Sequence, residues 1–146
     1  MMKLDGYTPP DMGIALDTGI ELKYTTSLGS FTFQTRMAGT ENATWKAAMR
    51  AFESKKAIAL RGVKSANDDV EKENEKTFLG MIHDILIISW STTATGDGGK
   101  PFKSTRETFL YLFSLPVLGQ VVTELTGDMA NTALFAKEEE AAAAKN

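Results

Sequence analysis

The chain has 146 residues, 42% hydrophobic and 24% charged, and a net charge of −3. This fits one globular domain and excludes wholesale disorder, while the mild acidity and the lack of a dense Lys/Arg stretch argue against a nucleic-acid partner. The sequence contains no cysteine, which excludes disulfides, thiolate metal sites and cysteine nucleophiles together.

Residues 1–19 read as an irregular arm, extended at Pro9-Pro10 and punctuated by Gly13 and Gly19. The N-terminus has no apolar h-region, so no signal peptide is expected. The longest apolar run, Ile85 to Ile88, is too short to cross a bilayer. Ile20 to Thr25 alternates apolar and polar residues, and Phe31 to Gln34 does so again after Ser27-Leu28-Gly29-Ser30. Alternation with period two around a glycine-containing turn predicts a β-hairpin over 20–36 with one half-buried face.

From Thr40 the period changes. Thr40 or Asn42 can start a helix, and Trp45, Ala48, Met49 and Phe52 then fall on one face of it. The helix continues toward Leu60, with Gly62 as its stop. Residues 65–89 read as the longest helix, capped by Ser65, Asn67 or Asp68 and solvated through Lys76. Asp68, Asp69, Glu71 and Glu73 complement its dipole, and Phe78, Met81, Ile82, Ile85, Leu86 and Ile88 form its apolar face. Ile85 to Ile88 is β-branched enough to suit a strand as well.

Ser91 to Lys103 reads as a loop, and Ser104 with Glu107 has the spacing of a capping box. A helix through Phe113 follows, and Pro116 opens another that carries Val117, Leu118, Val121, Val122 and Leu125. Gly127 permits a break, and Asp128 can cap the resumption through Leu134 and Phe135. Residues 137–146 read as a flexible Glu/Ala-rich tail, a frayed or free helical end without an apolar stripe to dock it. The predicted fold is thus α+β and mainly helical: a short N-terminal hairpin, then a bundle of about four helices over 40–136, all in a single domain of 1–136.

Catalytic chemistry is hard to assemble. The single histidine, His83, sits beside Asp84, but neighbouring helical residues point about 100° apart. No G-x-S-x-G elbow, H-E-x-x-H pair or EF-hand pattern occurs. Gly96-Asp97-Gly98-Gly99-Lys100 fails as a phosphate loop, with Ala94 in place of its first glycine and Pro101 in place of the Ser/Thr after the lysine. No catalytic, metal or cofactor-binding residue is assigned, and the chain reads as a binding protein rather than an enzyme.

Apolar residues carry more information. Phe102, Phe109, Leu110, Tyr111, Leu112, Phe113 and Leu115 crowd one segment, and a helix apolar on more than one side can leave a patch for a partner. Candidate contacts are Phe109, Tyr111, Leu112 and Phe113, with Trp45 from the earlier helix.

The order of features from about residue 36 to 135 resembles the tail assembly chaperones of long-tailed bacteriophages. Glu41-Asn42-Ala43-Thr44-Trp45-Lys46-Ala47-Ala48-Met49 is similar to their N-P-x-[aromatic]-x-x-A-L helix start, with Ala43 where proline is common. Trp90, then Gly99-Lys100-Pro101-Phe102, Ser104 and Glu107, Leu115-Pro116-Val117-Leu118 and Asp128-Met129-Ala130-Asn131 follow in the family's order. The loop after Trp90 is Ser/Thr-rich where members often carry an acidic residue, and the closing Ala-Asn-Phe is loosened to Ala130-Asn131 with Phe135 later.

The resemblance implies a protein of the infected host's cytoplasm, absent from the mature virion, that binds the tape measure protein and keeps it soluble until the tail tube polymerises around it. It also implies the tail tube protein, a frameshifted longer form of the chain and further copies of itself as partners. No nucleic acid or membrane is among them. The competing reading is a structural virion component, a minor tail or head–tail completion protein.

Overall fold

A computed structural model describes Asp5 and residues 13–60 and 68–144. The fold is α+β and mainly helical. The expectations for Pro9-Pro10, Gly62, Ser65 and Asn67 lie outside the described residues. β1 (Ile20–Thr26) and β2 (Gly29–Thr35) form the expected hairpin around Ser27-Leu28. Leu22 pairs with Phe33 and Tyr24 with Phe31, so the alternating apolar residues share one face.

The sheet has a third member. β3 (Ile87–Thr92) pairs antiparallel with β2, giving the order β1-β2-β3. This corrects the reading of 65–89 as one helix: α2 (Asp68–Met81) ends in a π-helical turn, Ile82–Leu86, and the chain then extends. Ile87, Ile88 and Trp90 suit a pleated surface, and β2 offers them an unpaired edge. Ser91 and Thr92 belong to this strand rather than to the following loop.

Helices cover the apolar face of the sheet. α3 (Arg106–Phe113) lies against it, followed by a 3₁₀ turn at Pro116–Leu118, α4 (Gly119–Met129) and α5 (Thr132–Ala144). Phe31 and Phe33 of β2, Trp90 of β3, and Phe109 and Phe113 of α3 form an aromatic cluster with ring centroids 4.7–6.4 Å apart. Leu79, Ile82 and Leu86, with Val121, Leu125 and Met129, complete the main core. The outer face, with Glu21, Lys23, Thr32, Gln34, Ser89 and Ser91, meets solvent.

Three boundaries move. The α3 cap is Thr105, whose Oγ1 accepts from the Thr108 amide at 3.2 Å, in place of the Ser104–Glu107 box. Gly127 stays inside α4, and the break falls at Asn131, whose Oδ1 accepts from the Ala133 amide. Asp128 makes no cap; its carboxylate accepts a 2.6 Å hydrogen bond from the Tyr24 hydroxyl and so ties α4 to β1. Burial first, and then this contact with Asp128, pushes the Tyr24 phenol well above its ordinary pKa.

The described parts of the arm and the tail are joined to each other. Ile14–Thr18 forms a helical turn within the arm read as irregular, and α5 runs through Ala144 across the tail, helical as its composition favours but docked rather than free. One Glu139 Oε1 accepts from the Ile14 and Ala15 amides at 2.7 and 2.9 Å, the orphan donors of that turn. Ala15, Ile20, Met37 and Phe135 form a second, smaller core beneath this clasp.

Gly19 joins the turn to β1 at φ +73°, and a Cβ there would overlap the Thr35 carbonyl. Gly19→Ala therefore combines left-handed strain with a backbone clash and should cost about 2 kcal/mol or more. A urea midpoint unchanged from that of the parent chain would show that the turn does not need this geometry.

Candidate partner-binding groove

α1 (Ala43–Leu60) is fixed at its start by Asn42. The buried Asn42 side chain donates from Nδ2 to the Met37 carbonyl at 2.9 Å and accepts the Trp45 amide on Oδ1 at 3.1 Å. It is therefore both helix cap and anchor to the chain leaving β2. This sets the rotation of α1, and Trp45 and Phe52 both meet Phe78 of α2, with ring centroids 6.0 and 5.9 Å apart.

The apolar face of α1 is only half covered. Trp45, Ala48, Met49 and Phe52 are each partly exposed, and none of the described α1 side chains is fully buried. A groove of about 620 Å³ runs beside the helix over Trp45 and Met49, walled by Lys46, Arg50 and Glu53. A second hollow of about 520 Å³ continues over Met49, Phe52 and Phe78 to Glu71 and Glu75. On the far side of Trp45, a narrow apolar cleft of about 270 Å³ reaches Ile82, Leu86 and Met129. Such a row of half-buried side chains, about 11 Å along the helix from Trp45 to Phe52, has the chemistry to take another helix.

Of the residues expected to touch a partner, Trp45 lines this groove and Tyr111 is 57% exposed on α3. Phe109, Leu112 and Phe113 are 0, 4 and 2% exposed and belong to the core, so they are corrected from contacts to packing residues. The third strand is the reason: β3 brings Trp90 beside Phe33 and widens the apolar face enough to bury one side of α3. Met49, Phe52 and Phe78, which the sequence places on apolar helical faces without marking them as contacts, are left accessible by the structure. Their periodicity identifies the face but not what covers it.

The polar residues make a structural cluster. Asp84 accepts from Arg106 Nε at 2.9 Å and lies 2.9 Å from His83 Nδ1, while the His83 ring packs on Phe109 at 5.2 Å. The Arg106 hydrogen bond, with His83 contributing less, holds the Asp84 carboxyl below its usual pKa against the opposing effect of burial. Among the described residues, no group of His, Cys, Asp and Glu could hold a metal ion. The glycine-rich loop is a short 3₁₀ turn closed by a bridge between Thr95 and Pro101. Among the described residues, no single helix is long and apolar enough to cross a membrane; α3 and the segment Pro116–Met129 together are, but they are bent by 89° and supply core residues.

No protein-family model, curated protein or solved structure matches this chain.

Phe109→Ala should cost about 3–5 kcal/mol in urea unfolding, whereas Tyr111→Ala should stay within about 0.5 kcal/mol of the parent. Equal effects would contradict the division of α3 into a buried and an exposed side. The Asp84 shift also predicts a pH response. With the folded pKa depressed, its contribution is present above the unfolded carboxylate pKa and fades as pH falls through the folded value. Arg106→Gln should raise the Asp84 pKa in an NMR titration, and an unmoved value would remove Arg106 as the cause.

Proposed function

We propose that the chain is a tail assembly chaperone that holds a phage tape measure protein soluble until the tail tube forms around it. The observation that supports this reading most is the open apolar groove along α1, floored by Trp45, Met49, Phe52 and Phe78 and bordered by charged side chains. A tape measure protein is a long helix with apolar stripes that aggregate when uncovered. An amphipathic helix laid into the groove would bury such a stripe, with its anchors spaced three and four residues apart.

Each contact should be modest in affinity, because tube subunits must displace the chaperone. Holding power then comes from several copies bound along one client. Trp45 is the first anchor, at the junction of the groove and the apolar cleft leading to Met129. Tyr111, with Phe102 at 6.5 Å, offers a smaller second patch.

Co-expression with the tape measure protein should raise the soluble client and recover it in complex with this chain. Trp45→Ala combined with Met49→Ala should lower the recovered client by about tenfold or more, the consequence of losing roughly 1.4 kcal/mol or more in total. A client that stays insoluble and unbound beside a well-folded chain would refute the chaperone reading. Detection of the chain in purified particles by mass spectrometry would instead favour a structural virion component.

A further inference from the structure

The narrow cleft beside Trp45 differs from the two hollows along α1 in its lining. Lysine, arginine and glutamate side chains border the hollows, whereas no residue lining the cleft is charged or titratable. Ile82, Leu86 and Met129, each at most 1% exposed, lie at its depth. Polar groups along its wall are spent within the chain. The Ala38 amide donates to the Met129 carbonyl at 2.8 Å, the Gly39 carbonyl accepts from the Asn42 amide at 3.1 Å, and the Thr126 hydroxyl donates to the Thr123 carbonyl at 3.0 Å. Water finds too few partners in such a space, and a peptide backbone would leave its own N–H and C=O groups unpaired. What it accepts is an uncharged apolar group. A cavity of about 150 Å³ holds one benzene ring, so the cleft, at about 270 Å³, has room for a ring and its stem. Trp45 and Gly39 line both the cleft and the first hollow, so the cleft opens on the Trp45 end of the groove.

We propose that the cleft is the specificity pocket of the groove and takes one large uncharged side chain, of Phe or Leu size, from the client helix lying along α1. The helix as source of that side chain rests on the client reading above, while its chemistry follows from the cleft alone. A smaller side chain would leave a void and forfeit contacts with Ile82, Leu86 and Met129. A lysine or glutamate would bury its charge without a partner. The hollows, with their charged rims, tolerate varied client sequences. The cleft does not, so it fixes which stretches of the client bind and in which register, with a large apolar residue over the Trp45 end.

The probes are toluene and benzylamine, one ring without and with a charge, titrated into the full chain and followed by NMR. Toluene should shift the Ile82 and Leu86 methyl signals saturably, and benzylamine should bind about tenfold or more weakly. Gly39 has no left-handed φ, and a Cβ there would meet nothing closer than 3.5 Å. Gly39→Leu therefore adds a side chain at the mouth without strain. It should keep the parent's urea midpoint, weaken toluene binding about tenfold or more and lower the client recovered on co-expression. Ile82 and Leu86 methyls that do not respond to toluene, or benzylamine bound as tightly as toluene, would overturn the proposal. So would toluene binding unaffected both by Gly39→Leu and by Ala130→Leu at the exposed side of the cleft, since the ring would then lie elsewhere. Client recovery that falls with the Trp45→Ala and Met49→Ala pair but not with Gly39→Leu would overturn it and leave the chaperone reading standing. A parent that admits toluene yet recovers no client would refute the chaperone reading itself, and with it the partner named here.

Discussion

The packing of five aromatic rings holds the two layers of this protein together. Phe31, Phe33 and Trp90 come from the sheet, and Phe109 and Phe113 from α3, with edge-to-face and tilted contacts that put ring edges against ring faces. These residues lie on three separated stretches of the chain. Their meeting fixes the depth of β3 beside β2, the rotation of α3 and, through the α3–α4 connection, the placement of Leu118, Val121 and Leu125. Residues beyond this cluster divide into those it buries and those it leaves at the rim.

α1 belongs to the rim. It leaves the sheet at the Asn42 anchor and rests on α2 through Phe78, a single half-buried ring between Trp45 and Phe52. The grooves along it follow from this arrangement, because one neighbouring helix cannot cover an apolar face spread over Trp45, Ala48, Met49 and Phe52. A partner that lies along α1 would therefore complete a core the chain leaves open, without forcing the aromatic cluster to rearrange.

The sequence made local order legible and hid what depends on distant neighbours. Alternation in Ile20–Thr25 and Phe31–Gln34 identifies the hairpin, and Asn42 ahead of Trp45 marks the start of α1. Ile85 to Ile88 suits a helix or a strand equally, and only the unpaired edge of β2 decides between them. The sides of α3 were equally ambiguous, since Phe109 and Tyr111 are both large and aromatic while burial depends on a strand some twenty residues away. The Glu139 clasp joins residues 124 and 125 positions apart, beyond any local pattern.

The connectivity of the sheet has a kinetic consequence. β1 and β2 meet across a two-residue turn, but β2 and β3 meet only after the whole α1–α2 excursion between Thr35 and Ile87 has been closed. The entropy of closing the longer loop exceeds that of the turn by about 3 kcal/mol for a flexible chain. A preformed α1–α2 pair would shorten that loop, and the third strand would arrive sooner. Until it does, β2 presents a bare edge carrying Phe31 and Phe33, and the newly made chain passes through a window in which it is itself prone to aggregate.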